Sequence, residues 1–200
     1  MEQIIFREAL QEDCERLLEI YRYYVERTAI TFEWTVPSLS EFRQRMLRIK
    51  EKYPYIVAET EKKIIGYAYA GHFVGREAYM WSAEMTIYLD QQVRHKGVGG
   101  ALYLCLEEML YKMNISNLYA CIGRAQTEDE YLTNNSMHFH EHMGYHLAGS
   151  FDKCGYKFGR WYDMIWMEKM ISGHEDEAKP VLNFQDVDAA EVFEKRKICL

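Results

Sequence analysis

Val93-Arg94-His95-Lys96-Gly97-Val98-Gly99-Gly100-Ala101-Leu102 follows a strand-like run, Met85-Thr86-Ile87-Tyr88-Leu89, and opens a long helix-like one. A strand that feeds a basic, glycine-bearing turn and then a helix start is suited to an anion. Glycine lets the backbone approach a ligand closely, the first helical turn has N–H groups without intrahelical partners, and the helix dipole favours negative charge there. A phosphate or pyrophosphate fits such a turn. The spacing is R-x-x-G-x-G. It is neither a G-x-x-x-x-G-K-[ST] phosphate loop nor a G-x-G-x-x-G dinucleotide fingerprint.

Around this turn, 200 residues with 48% hydrophobic content are enough for one compact domain. A net charge of -7 and a pI near 5.6 argue against a general nucleic-acid binder, and set off the local basicity of Arg94, His95 and Lys96. No apolar run is long enough to span a bilayer and the N-terminus has no signal-peptide pattern, so a cytoplasmic location is expected. Cys14, Cys105, Cys121, Cys154 and Cys199 are scattered without a C-x-x-C pair, which favours packing roles over redox or zinc work. His138, His140 and His142 form H-x-H-x-H. On a helix only His138 and His142 share a face, and two ligands make a poor zinc site, so no metal is expected.

Hydrophobic periodicity predicts a strand over 3–8 and a helix over 12–27, then a second helix capped by Ser38 or Ser40. Strands follow at 55–59, 64–73 and 79–89, then a helix over 99–113 and a strand at 118–122. A short helix over 134–143 is closed by Gly144, and two last strands, 145–153 and 161–170, are joined by the glycine-bearing connection 154–160. From Gly173 the chain reads as an acidic linker and a tail in which 187–198 forms a short amphipathic helix anchored by Val192 and Phe193. The domain proper is expected to be 1–172.

Glu84 stands in an apolar and aromatic stretch, Tyr79-Met80-Trp81-Ser82-Ala83. Partial burial would raise its pKa toward that of a useful base, although spacing alone also fits a carboxylate on a wet strand face. His140 titrates near neutrality, and is equally readable as a helix histidine bonded to a backbone carbonyl.

Several separated segments carry a family resemblance: Phe6-Arg7-Glu8-Ala9, Tyr53-Pro54-Tyr55-Ile56-Val57-Ala58-Glu59, Gly66-Tyr67-Ala68-Tyr69-Ala70, Ala83-Glu84-Met85-Thr86-Ile87-Tyr88, the glycine turn, Phe139-His140-Glu141-His142-Met143-Gly144-Tyr145 and Gly159-Arg160-Trp161-Tyr162-Asp163. In order and spacing, over residues 3 to 170, the chain resembles the GCN5-related N-acetyltransferases, and among them the phosphinothricin and methionine-sulfone acetyltransferases. The resemblance implies a mixed α+β fold, with a mostly antiparallel twisted sheet splayed between its fourth and fifth strands and flanked by helices.

It also implies acetyl-CoA as co-substrate. Arg94, His95, Lys96, Gly97, Val98, Gly99 and Gly100 would hold the pyrophosphate, and the backbone of Ile87, Tyr88 and Leu89 the pantetheine arm. Asn134 would stand for a cofactor-binding asparagine. Glu84 would be the base that takes the amine proton, and His140 would protonate the departing thiolate. The acceptor implied is a small amino acid or analogue such as phosphinothricin, methionine sulfone or sulfoximine. Arg76 is the candidate for its carboxylate, and Phe32, Trp34, Trp81 and Trp161 are the candidate walls. A homodimer is expected from the family. The connection 124–135 is several residues longer than in phosphinothricin acetyltransferases and borders the acceptor cleft. Its Glu128-Asp129-Glu130 run keeps a protein amine or polyamine acceptor open, and a non-catalytic acetyl-CoA-binding module is the remaining alternative.

Overall fold

The computed structural model describes residues 3–61, 63–92, 97–196 and 198–199; Val93 and the basic residues Arg94, His95 and Lys96 lie outside the described residues. The chain forms β1 (Gln3–Glu8), α1 (Cys14–Arg27), α2 (Leu39–Lys50), β2 (Tyr55–Glu59), β3 (Ile64–His72), β4 (Ser82–Leu89), α3 (Val98–Lys112), β5 (Asn117–Arg124), α4 (Asn135–His142), β6 (His146–Lys157), β7 (Arg160–Met170), α5 (Ala190–Glu194) and β8 (Ile198–Cys199). These strands make one sheet in the order β6-β7-β5-β4-β3-β2-β1-β8. All neighbours are antiparallel except β4 and β5, which pair in parallel only at Ser82, Ala83 and Glu84 against Asn117, Leu118 and Tyr119. Beyond Glu84 these two strands diverge, and this splay creates the site.

The phase of β4 follows from one bond. Asp90 donates its N–H to Ile65 O at 2.9 Å, so the backbone groups of Tyr88 and Thr86 also face β3, while those of Met85, Ile87 and Leu89 face the divergent edge. Side chains alternate likewise between the two faces. Ala83 and Met85, with Ile87 and Leu89 packed beside them, face the α3 side, where Leu102, Leu106, Met109, Leu110 and Met113 are fully buried. Tyr88 packs on the other face with Tyr55, Val57 and Tyr67 under Leu17, Tyr21 and Val25 of α1 and Phe42 and Met46 of α2. Burial of a large apolar side chain contributes about 1.5–3 kcal/mol, so these two cores carry the fold.

Local chemistry sets the boundaries. Ser38, rather than Ser40, caps α2 by accepting the Glu41 N–H. Gly97 starts α3 with φ 99°, a left-handed conformation that strains any side chain. Gly144, φ 88°, follows the end of α4 as expected. Three sequence expectations change. The strand expected from Tyr79 begins at Ser82, because Glu77–Tyr79 forms a one-turn 3-10 helix. The stretch 154–160 is mostly strand, and only Phe158 (φ 52°) and Gly159 (φ 77°) make the turn, a two-residue pair of positive φ that matches strand twist.

The tail differs too. Its helix is confined to Ala190–Glu194, after which Ile198–Cys199 pairs with Gln3 and Ile4 at the edge of the sheet. Phe184 and Val192 enter the α3-side core at 5% and 0% exposure. Among the described residues no helix is long and apolar enough to cross a membrane.

Candidate active site

Two cavities meet at the splay. The larger, about 880 Å³, is lined by Ile87 and Leu89 of β4, Gly97, Gly99, Gly100, Ala101 and Leu104 at the start of α3, Asn135, Ser136, Phe139, His142 and Met143 of α4, and Tyr24, Ile30, Lys195 and Arg196. It joins a mostly apolar trough to a helix N-terminus, with a free strand edge along one wall. A Cβ on Gly99 would reach Leu89, Phe139 and Ile87 at 3.4, 3.5 and 3.6 Å, within the lining itself. One part of the edge is already occupied: the Tyr24 hydroxyl donates to Leu89 O at 2.6 Å and accepts from Leu89 N at 3.2 Å. The backbone of Leu89 is therefore not open to a ligand in this structure, which corrects the expectation for that residue. Ile87, beyond the last pair with β5, retains its own.

The smaller cavity, about 300 Å³, opens on the other face. Its lining includes Ile30, Thr31, Phe32, Tyr69, Glu84, Thr86, Ile87, Tyr88, Tyr103, Cys121, Gly123, Ser136, His140 and Met164. Ile87, Ile30 and Ser136 line both cavities, so a group threaded along β4 from the larger one arrives beside the smaller. Burial pushes the Glu84 carboxyl above its ordinary value, with no cation among the described residues to reverse the shift. Cys121 forms part of the wall.

The rim at Ile30–Phe32 comes from the α1–α2 connection. The ammonium of Lys157, on β6 and 3% exposed, donates to Thr28 O and Thr31 O, each at 2.8 Å. Burial lowers its pKa to about 8. The Phe32 ring lies directly on Gly155, where an added Cβ would fall 2.3 Å from it.

His140 is 3% exposed and both ring nitrogens are engaged. Nδ1 lies 2.7 Å from Ser136 O, a pure acceptor, so Nδ1 carries the proton. Nε2, 2.7 Å from the Tyr103 hydroxyl, is then the acceptor and Tyr103 the donor. Burial lowers the pKa of His140, which keeps the ring neutral. Tyr103, not His140, therefore presents the proton-bearing oxygen, held from behind by the histidine.

The structure gathers Glu84, His140, Phe32, Ile87 and Tyr88 around the smaller cavity, and Ile87, Leu89, Gly97, Gly99 and Gly100 around the larger. Val98 is fully buried and offers only its backbone. Arg94, His95 and Lys96 lie outside the described residues. Five assignments lie elsewhere. The Asn134 amide is turned onto Ala125, donating to its O and accepting from its N at 3.2 Å each; Asn135 and Ser136 line the cavity instead.

Trp81 precedes β4 and donates to Lys179 O at 2.8 Å, among residues of a third cavity beneath the tail. Trp161 is 61% exposed against Tyr156, because alternation along β7 sets it opposite Met164. Arg76 caps the exposed 3-10 turn and lines neither cavity. Trp34 is 71% exposed. An aromatic wall of the Glu84 cavity comes from a residue that sequence reasoning missed, Tyr69. Tyr103 was missed as well. Its only signal was a hydroxyl inside an aliphatic helix stripe, which must find a partner.

A family model described as an acetyltransferase (GNAT) domain matches residues 6–166. The chain is 31% identical to a phosphinothricin N-acetyltransferase of Streptomyces viridochromogenes over 82% of its own length and 85% of that protein's. Among solved structures, a phosphinothricin acetyltransferase from Sinorhizobium meliloti in complex with AcCoA superposes with a TM-score of 0.79 at 32% identity, covering 90% of this chain and 98% of that one. A ribosomal-protein-alanine N-acetyltransferase from Brucella melitensis gives 0.76 at 30%, covering 84% and 99%. A splayed sheet with a glycine-started helix at its mouth, matched in this way, defines an acyl-group-transferring enzyme. The chain belongs to the GNAT family of acetyltransferases and is an N-acetyltransferase.

Proposed function

We propose that this enzyme transfers the acetyl group of acetyl-CoA to the amine of a small amino acid or amino-acid analogue, of the phosphinothricin or methionine sulfone and sulfoximine type, by direct attack with both substrates bound. The observation that carries the reading is the meeting of the two cavities at Ile87, with Glu84 on one side and Tyr103 on the other. The larger cavity fits acetyl-CoA: an apolar trough for the arm, free backbone groups at Ile87, and the N-terminus of α3 for a pyrophosphate. When bound, that co-substrate supplies an activated acetyl thioester.

Glu84, with its raised pKa, accepts the ammonium proton of the incoming acceptor directly or through water. The N–H of Ile87, on the free edge, is the donor available to a developing oxyanion. Tyr103 donates its hydroxyl proton to the leaving sulfur and regains one from solvent, balancing the proton that Glu84 took from the amine and later releases, while His140 Nε2 holds the hydroxyl in place with Nδ1–H resting on Ser136 O. Phe32, Tyr69 and Tyr88 enclose a body of amino-acid size.

A protein amine is the second reading, favoured by the resemblance to the ribosomal-protein-alanine enzyme. The polyamine reading loses its support, because Asp129 and Glu130 are held by Arg160 at 2.8 and 2.9 Å and Glu128 accepts from Asn134 N. A homodimer and a cytoplasmic location belong to the same proposal. Exposed Leu147, Phe151, Tyr156 and Trp161 on the β6–β7 hairpin support the dimer, which light scattering tests.

Thiol release from acetyl-CoA, measured against amino acids, phosphinothricin, methionine sulfone, methionine sulfoximine, polyamines and alanyl peptides, tests the function. Release with one compact analogue is expected. Release only with peptides would replace the acceptor, and none at all with cofactor bound would leave a binding module.

A further inference from the structure

The matched domain stops at residue 166, yet the chain continues and returns to the cofactor cavity. The route is held at each stage. Lys179 O accepts from Trp81, Pro180 O accepts from Asn114 at 2.9 Å, Leu182 N donates to Met113 O at 3.0 Å, and Phe184 N donates to Lys52 O at 2.9 Å. Val192 is fully buried in α5, and β8 adds to the free side of β1. Between these two anchors stand Lys195 and Arg196, both in the lining of the larger cavity, with no carboxylate among the described lining residues.

Their positions are fixed from behind by α3. Arg196 donates to Glu108 at 2.9 Å, and Lys195 pairs with Glu191 at 2.6 Å and reaches Glu108 at 3.7 Å. Glu108 lies one turn beyond Leu104 on α3, so the cations sit further along the helix than the N–H groups of its first turn. The Arg196 Nε is buried and has no partner among the described residues. Two cations at a cavity wall are suited to a polyanion.

We propose that Lys195 and Arg196, supplied by the C-terminal tail, bind the 3′-phosphate of acetyl-CoA while the first turn of α3 takes the pyrophosphate. The proposal rests on the acetyl-CoA reading above. Two phosphate sites separated along one helix match a ligand that carries a pyrophosphate and a second phosphate on its ribose. The tail is then a selectivity element that tells the phosphorylated cofactor from its dephosphorylated form.

Calorimetric titration of the full chain with acetyl-CoA and with 3′-dephospho-acetyl-CoA tests this. Wild type is expected to bind acetyl-CoA about tenfold more tightly than the dephospho form. The Lys195→Gln, Arg196→Gln double variant should abolish that difference while keeping the dephospho affinity. Lys195 has a side chain 54% exposed, so Lys195→Gln alone leaves packing intact and should give a partial loss, which decides the matter if the double variant melts early. Unchanged discrimination in these variants, or equal losses with both cofactors, would overturn the proposal and leave the acetyl-CoA reading standing. Wild type that binds neither cofactor would overturn both.

Discussion

At the scale of single residues, Glu84 and Tyr103 make separable predictions. Glu84→Gln should lower kcat by about 10²–10⁴ while cofactor affinity holds, checked by steady-state assay beside calorimetry. Because burial raises the Glu84 pKa and the base must be ionised, kcat/KM should rise with pH through that raised value, and the rise should vanish in the variant. Tyr103→Phe should lower kcat with little change in either KM, since the hydroxyl is needed only as sulfur departs. A KM effect alone would make Tyr103 a wall.

His140 has the opposite linkage. Its folded pKa lies below the ordinary value of 6.5, so the unfolded chain binds the extra proton, and the stability contributed by the neutral ring is lost as pH falls from about 6.5. Melting curves from pH 7.5 to 5.5 should show this loss, which His140→Gln would flatten. Glu84 was legible in sequence because a carboxylate among apolar neighbours is conspicuous. Tyr103 was not, because its meaning lies in a bond to a residue on another helix that no periodicity reports. Trp81 and Trp161 misled for a related reason: a tryptophan advertises a binding wall, but strand phase and the tail decide which way it points.

Among the elements, the α1–α2 connection and the β6–β7 hairpin act as one unit. Gly155→Ala would place a methyl within the Phe32 ring, forcing that ring off its seat. The acceptor KM should rise several-fold with acetyl-CoA affinity unchanged, read by varying each substrate in turn. On the other cavity, Gly99→Val would crowd Leu89, Ile87 and Phe139 and should weaken acetyl-CoA binding while the far-ultraviolet spectrum is kept. Element type and order were readable from periodicity, and α2, α3 and α4 were bounded by caps and glycines that sequence shows directly. The β6–β7 turn was misplaced because Gly155 looks like a loop residue, while its real purpose is to admit an aromatic ring from a distant connection.

For the whole molecule, the tail is structural as well as electrostatic. Removing residues after Gly173 exposes the surface covered by Phe184 and Val192, and should destabilise the protein by about 3–6 kcal/mol, seen as a lower denaturation midpoint in urea. Its amphipathic anchors were visible in sequence. Its pairing with β1 was not, because a strand so short has no pattern and exists only through its partner.

The divergence of β4 from β5 has a consequence for handling and storage. A strand with open backbone groups is a template for another chain, and proteins generally protect such edges. Here the Tyr24 hydroxyl stoppers one end, at Leu89, and leaves Ile87 to be satisfied by whatever lies along the strand. A bound cofactor arm would mask that edge as a neighbouring strand does. Acetyl-CoA should therefore delay the onset of turbidity on heating by more than its effect on melting alone accounts for, and Tyr24→Phe should hasten precipitation of the ligand-free enzyme.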